Sequence, residues 1–224
     1  MTRMFKTVTK TWNPYVGCLY ECYRGGCWAR QLALNKLNHL PRYSDGFKPK
    51  IVESELTKRF RPDEFVAVSL MGDISFATKE EILLILDRIK QFPQTNFLIQ
   101  SKNPKRFQDW EVTFPLNVYL GTTIETNRGY KLTKAPFPID RYEAIAQFNH
   151  PNKFISIEPI CNFDLSILME WIRAINPEII EVGADNYSNH LPEPPWWKVI
   201  TLLAKVRDFC PKVVEKEGLE RLRR

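Results

Sequence analysis

Cys18, Cys22 and Cys27 fall within ten residues in the stretch NPYVGCLYECYRGGCWARQLA at 13–33, spaced Cys-x3-Cys-x4-Cys in a loop that also holds Gly17, Gly25 and Gly26. Cysteines crowded in this way inside a reducing compartment belong to metal or catalytic sites more often than to disulfides. A structural zinc asks for four ligands in a tetrahedron, typically two close pairs, and the sequence has no second Cys-x2-Cys and no His-x3-His. Zinc would therefore have to recruit a distant fourth ligand: Cys161 is the most plausible, with His39 and Cys210 behind it. A four-iron cluster uses the trio as it stands, because three thiolates hold three irons and leave the fourth with open coordination. Gly25 and Gly26 permit the tight turn that brings Cys27 back toward the other two.

Such a loop needs a frame, and the rest of the chain supplies a regular one. Apolar, β-branched runs at 65–71, 96–100, 117–124, 153–159, 178–183 and 212–216 read as strands buried on both faces, and FKTVT at 5–9 reads as a first strand ahead of the cysteines. Between them lie amphipathic stretches of helical period at 78–92, 139–148, 164–175 and 194–209, with a short helix expected at PKRFQDW. The first opens on a capping-box pattern, Thr78 with Glu81, and the third has Asp164 as its N-cap candidate. Seven buried strands alternating with helices predict parallel βαβ units curled into a TIM-like (β/α) barrel, complete or partial. The chain from Leu34 to Pro62 is too irregular for a single helix, and 39–62 is expected to be an insertion in one barrel domain spanning 1–224.

Composition narrows the class. With 44% hydrophobic and 26% charged residues the 224-residue chain can bury a core, which excludes a disordered protein. No run of eighteen apolar residues is present and the first residues lack an apolar signal core, so the expectation is a cytoplasmic protein with no membrane partner. The net charge of +6 is spread along the chain and shows locally in KRFR (58–61), KNPKR (102–106) and ERLRR (220–224), a mild excess that is usually a solvated surface and can also attract nucleic acid.

In a parallel barrel the site forms where the carboxyl ends of the strands meet, so the residues just past each apolar run carry most weight. They are unusually polar: Gly72, Asp73 and Ser75; Gln100, Ser101 and Lys102; Thr122, Thr123, Glu125 and Asn127; Glu158; Gly183, Asp185 and Asn186; Lys216. Glu158 and Lys102 sit at the ends of strands expected to be buried, where an ionised group requires a partner or a ligand.

At these positions the sequence resembles a known family. TWNPYVGC…C…CWAR at 11–30 is similar to the opening motif of the phage- and prokaryote-encoded three-Cys-motif proteins, which are radical S-adenosylmethionine-like. VSLMGDIS (68–75), FLIQSKNPKRF (97–107), NVYLGTTIET (117–126), FISIEP (154–159), IIEVGAD (179–185) and VVEKEG (213–218) resemble, in order, that family's later strand segments. General radical S-adenosylmethionine enzymes use Cys-x3-Cys-x2-Cys with an aromatic residue before the last cysteine. This chain has two extra residues there and Gly26 in the aromatic place, with Trp28 just after the last cysteine to take that part.

The resemblance implies a [4Fe-4S] cluster on Cys18, Cys22 and Cys27, S-adenosyl-L-methionine at the open iron, an electron donor, and a 5′-deoxyadenosyl radical acting on an unidentified substrate, nucleic acid among the candidates. Asp73 and Ser75 are then expected at the cofactor's amino group, with Gly72, Ser101 and Trp28 also in cofactor contact. Lys102, Glu125 and Glu158 would hold carboxylate, ribose or substrate, and Lys216 would reach an anionic substrate. The alternative is a barrel stapled by zinc or an iron–sulfur group that binds nucleic acid or a protein partner without catalysis, supported by the positive charge and by Trp196 and Trp197.

Overall fold

Apolar runs too short to stand alone, each followed by an amphipathic helix, leave side-by-side parallel pairing as the way to bury both faces. That is the arrangement in the computed structural model, which describes residues 4–223. Arg224, the last of the carboxyl-terminal basic run, and residues 1–3 lie outside the described residues. In chain order the elements are β1 (Lys10–Trp12), β2 (Tyr15–Val16), α1 (Trp28–Asn35), β3 (Lys50–Ile51), β4 (Phe65–Val68) and α2 (Lys79–Lys90). There follow β5 (Asn96–Gln100), α3 (Arg106–Asp109), β6 (Val118–Thr123), α4 (Pro138–Gln147), β7 (Lys153–Ile157), α5 (Leu165–Ile175), β8 (Ile179–Val182), α6 (Trp196–Arg207) and β9 (Lys212–Glu215).

Seven strands form one sheet in the order β1-β4-β5-β6-β7-β8-β9, every neighbouring pair parallel, and the sheet curls into a half-barrel whose end strands do not pair with each other. The barrel is therefore partial. Pleating divides its side chains between two layers. Val66, Val68, Phe97, Ile99, Val118, Leu120, Ile155, Ile157, Ile180 and Val182 pack against the helices in the main core. Ala67, Leu98, Phe154 and Ile179 face the lumen.

The lumen is filled from the amino terminus, which corrects the expected first strand. Residues 5–9 do not form a strand; Phe5 and Val8 pack on Ala67, Leu98, Phe154 and Ile179, and the Phe5 and Phe154 rings meet edge-on at 5.2 Å. The Lys6 and Thr7 amides donate to the Glu181 carboxylate at 3.0 and 2.8 Å, with the Thr7 hydroxyl adding 2.7 Å. The first strand is β1, five residues further on, whose Trp12 enters the outer core.

The region 39–62 contains two short 3₁₀ turns and β3, which pairs antiparallel with β2 just ahead of the cysteines. Helix α2 begins with both halves of its capping box formed: the Glu81 amide donates to Thr78 Oγ1 and the Thr78 amide to Glu81 Oε2. Asp164 does occupy the N-cap of α5, but its carboxylate accepts from Arg128 and Asn127 instead of capping. Among the described residues no helix is long and apolar enough to cross a membrane.

Candidate functional site

The cysteine loop follows β1 and β2, and backbone bonds fasten its base. Gly17 and Gly72 form a parallel bridge: the Gly17 amide donates to Met71 O at 2.9 Å and the Asp73 amide to Gly17 O at 3.0 Å. A Cβ on Gly72 would stand 2.5 Å from Gly17 O, and one on Gly17, whose φ is +85°, would overlap the Lys48 carbonyl. Only glycine fits at both places. Gly72→Ala is accordingly expected to cost about 1–3 kcal/mol, the usual range for overpacking, which urea denaturation measures.

Beyond that base, Cys18, Cys22 and Cys27 line one cavity of about 680 Å³ at the carboxyl ends of the strands. All three are free thiols. Burial pushes the Cys18 and Cys22 thiols above their ordinary range; the Asp73 charge adds to this at Cys18, while Lys102 pulls Cys22 back down. A bound metal would supply the positive charge that makes thiolates favourable there.

Of the twelve residues given a role under the family resemblance, ten line this cavity: the three cysteines, Trp28, Gly72, Asp73, Ser101, Lys102, Glu158 and Lys216. The structure brings them together from the ends of five different strands. Ser75 and Glu125 stand outside the lining. Ser75 is tied to Asp73, whose Oδ1 accepts from the Ser75 amide (3.0 Å), the Ser75 hydroxyl (2.8 Å) and the Ser101 hydroxyl (2.6 Å), and whose Oδ2 accepts from the Lys102 amide (2.9 Å). With those four bonds Asp73 stitches the loop after β4 to the loop after β5. The Ser75 hydroxyl also meets the Tyr20 hydroxyl at 2.7 Å, which ties the cysteine loop to the same hub.

Glu125 is 2% exposed and lies at the centre of a buried charge network. Its Oε1 accepts from Lys102 Nζ and, at 3.0 Å, from the Tyr23 hydroxyl; its Oε2 accepts from Arg141 Nη1 at 2.8 Å. Burial alone would raise this carboxyl, but Arg141 and then Lys102 outweigh it and hold the group well below the usual carboxylate range. Across the cavity Glu158 pairs with Lys216, whose ammonium also donates to Met4 O and stands 5.2 Å over the Phe5 ring. Burial raises the Glu158 carboxyl against the opposing pull of Lys216. Gln100, on the cavity wall, donates from its amide nitrogen to Thr123 Oγ1 at 2.7 Å and leaves its buried Oε1 without a hydrogen-bond partner.

Sequence reasoning missed Tyr23, Arg141, and the amino-terminal Met4, Phe5 and Lys6 as parts of this region. Tyr23 could have been noticed as the aromatic residue inside the cysteine loop. Arg141 carried no signal, because on IDRYEAIAQF it looks like any solvent-facing helical residue.

The candidate fourth ligands are placed away from the trio. Cys161 is fully buried with its thiol directed to Pro159 O at 3.6 Å, and it does not line the cavity. Cys210 precedes β9, at the amino ends of the strands, with its thiol on Pro177 O, and His39 is exposed. Among the described residues no three His, Cys, Asp or Glu side chains gather to the spacing of a single-ion site. Zinc holds its sulfurs about 4 Å apart, given Zn–S bonds near 2.3 Å, whereas a cubane spreads its thiolates around a larger body. One buried and two half-buried thiols lining one cavity, with the unpartnered Gln100 acceptor in the same lining, fit a cluster and an organic ligand.

The basic runs are partly committed within the protein. Lys102 pairs with Glu125, Arg106 donates to Ser75 O and Ala77 O, and Arg221 pairs with Glu193.

This half-barrel of seven parallel strands is similar in fold to solved structures of spore photoproduct lyase. One solved structure, a double mutant of that lyase with bound AdoMet and dinucleoside spore photoproduct, superposes with a TM-score of 0.64 over 96% of this chain and 78% of that one, at 9% identity. A single cysteine-to-serine mutant of the lyase gives 0.61 over 96% and 78%, and the lyase complexed with dinucleoside spore photoproduct 0.59 over 89% and 74%, both at 9% identity. At that identity the fold is what is shared. Over residues 4–204 the sequence matches the family described as Protein of unknown function (DUF5131), and the chain belongs to that family. No curated protein matches it.

Proposed function

We propose that this protein is a radical S-adenosylmethionine-type iron–sulfur enzyme, akin to the three-Cys-motif proteins, with Cys18, Cys22 and Cys27 as the ligands of a [4Fe-4S] cluster. The observation that carries the reading is the convergence of the three thiols and seven further residues, named from their strand-end positions or from the family resemblance, on one cavity at the strand ends. A volume of about 680 Å³ suits a cofactor with a reacting group beside it, since ligand cavities run to roughly 300–1,000 Å³. Held by Cys18, Cys22 and Cys27, such a cluster would supply the single electron for reductive cleavage of S-adenosylmethionine to methionine and a 5′-deoxyadenosyl radical, which would abstract a hydrogen atom from the substrate.

The chain's own residues bind, orient and exclude water. Asp73 and Ser75 fix the loop nearest the cofactor's amino group, with Gly72 and Ser101 in the same wall. Trp28 presents an aromatic surface beside Cys27. Lys102 and Lys216 are the cations available to a carboxylate or phosphate, each held by its acidic partner, Glu125 or Glu158. The unpartnered Gln100 Oε1 offers an acceptor to a hydroxyl or amine of the ligand. A nucleic-acid component is the proposed substrate class, supported by the net charge of +6 and by the dinucleoside held on the same fold in the lyase. Turnover requires an external electron donor, and the cytoplasm is the proposed setting.

Anaerobic reconstitution tests this reading. About three to four irons per chain are expected, with release of 5′-deoxyadenosine on adding dithionite and S-adenosylmethionine. A colourless protein that binds one zinc would replace it with the metal-stapled binder. Retention on heparin or tRNA that falls with salt tests the nucleic-acid component separately. Glu158→Ala is expected to lower turnover by about 10–100-fold, the worth of one charged hydrogen bond of roughly 1.5–3 kcal/mol; unchanged turnover would remove Glu158 from the site.

A further inference from the structure

The loop after β6 runs alongside the cysteine loop in a fixed register. The Tyr23 amide donates to Leu132 O at 2.6 Å, the Lys134 amide to Tyr20 O at 2.7 Å, and Lys134 Nζ pairs with Glu21 at 2.6 Å. Thr133 is held between the two backbone bonds, and its hydroxyl lies 3.4 Å from Cys22 Sγ. The same hydroxyl donates to Tyr20 O at 2.9 Å and accepts from the Ala135 amide at 3.1 Å.

We infer that Thr133 is a positioning residue for the metal group, which hydrogen-bonds the Cys22 sulfur and sets the reduction potential of the cluster bound there; this rests on the cluster reading above. A hydroxyl has one proton to give. While Cys22 is a thiol, its S–H can donate to Thr133 Oγ1 and the hydroxyl proton goes to Tyr20 O. A metal-bound thiolate has no proton, so the hydroxyl turns about its C–O bond and donates to sulfur. The turn is cheap, because Tyr20 O keeps its bond from the Lys134 amide and Thr133 Oγ1 keeps the one from Ala135. A donor to a ligand sulfur stabilises negative charge, more so after reduction, and therefore raises the potential.

The test compares anaerobically reconstituted wild type with Thr133→Val, Thr133→Ala and Thr133→Ser by redox titration followed by electron paramagnetic resonance. The midpoint should move to more negative potential in T133V and T133A and stay at the wild-type value in T133S. A loop that is merely loosened would not separate serine from alanine in this way. If neither apolar variant retains iron, wild type and T133S are compared in D₂O: a shift of the iron–cysteine stretching bands supports the bond, and its absence overturns it. Unchanged midpoints in T133V and T133A overturn the role of Thr133 alone. A wild type that binds no iron overturns the cluster reading and this inference with it.

Discussion

Replacing Cys22 with alanine is expected to remove the iron from the reconstituted protein, with at least about a tenfold loss of cluster content and no detectable 5′-deoxyadenosine. The size follows from the proposed ligand count: groups that merely orient a ligand are already worth about 10–100-fold in metal affinity, and this change would remove one of the three direct ligands proposed. The fold should survive, because the change deletes a single sulfur facing a cavity, away from the packed core. Cys161→Ala is the paired control. That thiol is buried outside the cavity lining, and its variant should keep the wild-type iron content. Iron and sulfide analysis with absorption spectra separates the outcomes. If C161A loses iron as C22A does, four protein ligands close the cluster and no iron is left open for S-adenosylmethionine. If C22A keeps its iron, the trio is not the ligand set.

The largest expected effect on stability falls at Glu125. Glu125→Ala leaves the Lys102 and Arg141 charges without their shared partner in an environment where Arg141 is 1% exposed. Breaking a buried ion pair from one side costs about 3–5 kcal/mol, a large share of the roughly 5–15 kcal/mol that holds a domain together. Tyr23 loses its acceptor in the same change, so the cysteine loop should loosen as well. The pH dependence has a definite sign. A carboxyl held below its unfolded value stabilises the fold above the ordinary range of about 4 and gives that stability up as pH falls through the depressed folded value. Urea denaturation of wild type between neutral pH and about pH 3 should show this acid-side loss, and Glu125→Gln should weaken it while lowering stability at neutral pH. A Glu125→Ala protein as stable as wild type would mean that the network is solvated and energetically idle.

Much of this arrangement was legible in the sequence, for reasons that can be named. Thr78 and Glu81 announce the start of α2 because a capping box involves only groups three residues apart. The strands from Phe65 onward are legible because burial on both faces demands continuous apolar runs. Placing the site at the strand ends followed from parallel order alone, and it gathered residues as far apart in the chain as Cys18 and Lys216. FKTVT misled because alternation of apolar and polar residues reports which side chains are buried and says nothing about a backbone partner. The segment buries Phe5 and Val8 in the lumen, but its bonds go to a side chain, Glu181, 174 residues away from Thr7. Glu125 was placed correctly along the chain, yet which wall it faces depended on Arg141 approaching from α4.

By itself the sequence determined what is local: where strands and helices form, how three thiols are spaced on one loop, and which polar groups follow each strand. Hydrogen bonding, turn sterics and side-chain period act over a few residues, so a few residues suffice to read them. Only the tertiary structure decided that Glu158 would meet Lys216 and that Lys102 would be held by Glu125, 58 and 23 residues apart. Those pairings come from the order of strands in the sheet, which sets the end of β5 beside that of β6 and the end of β7 one strand away from that of β9, an order that no local pattern encodes.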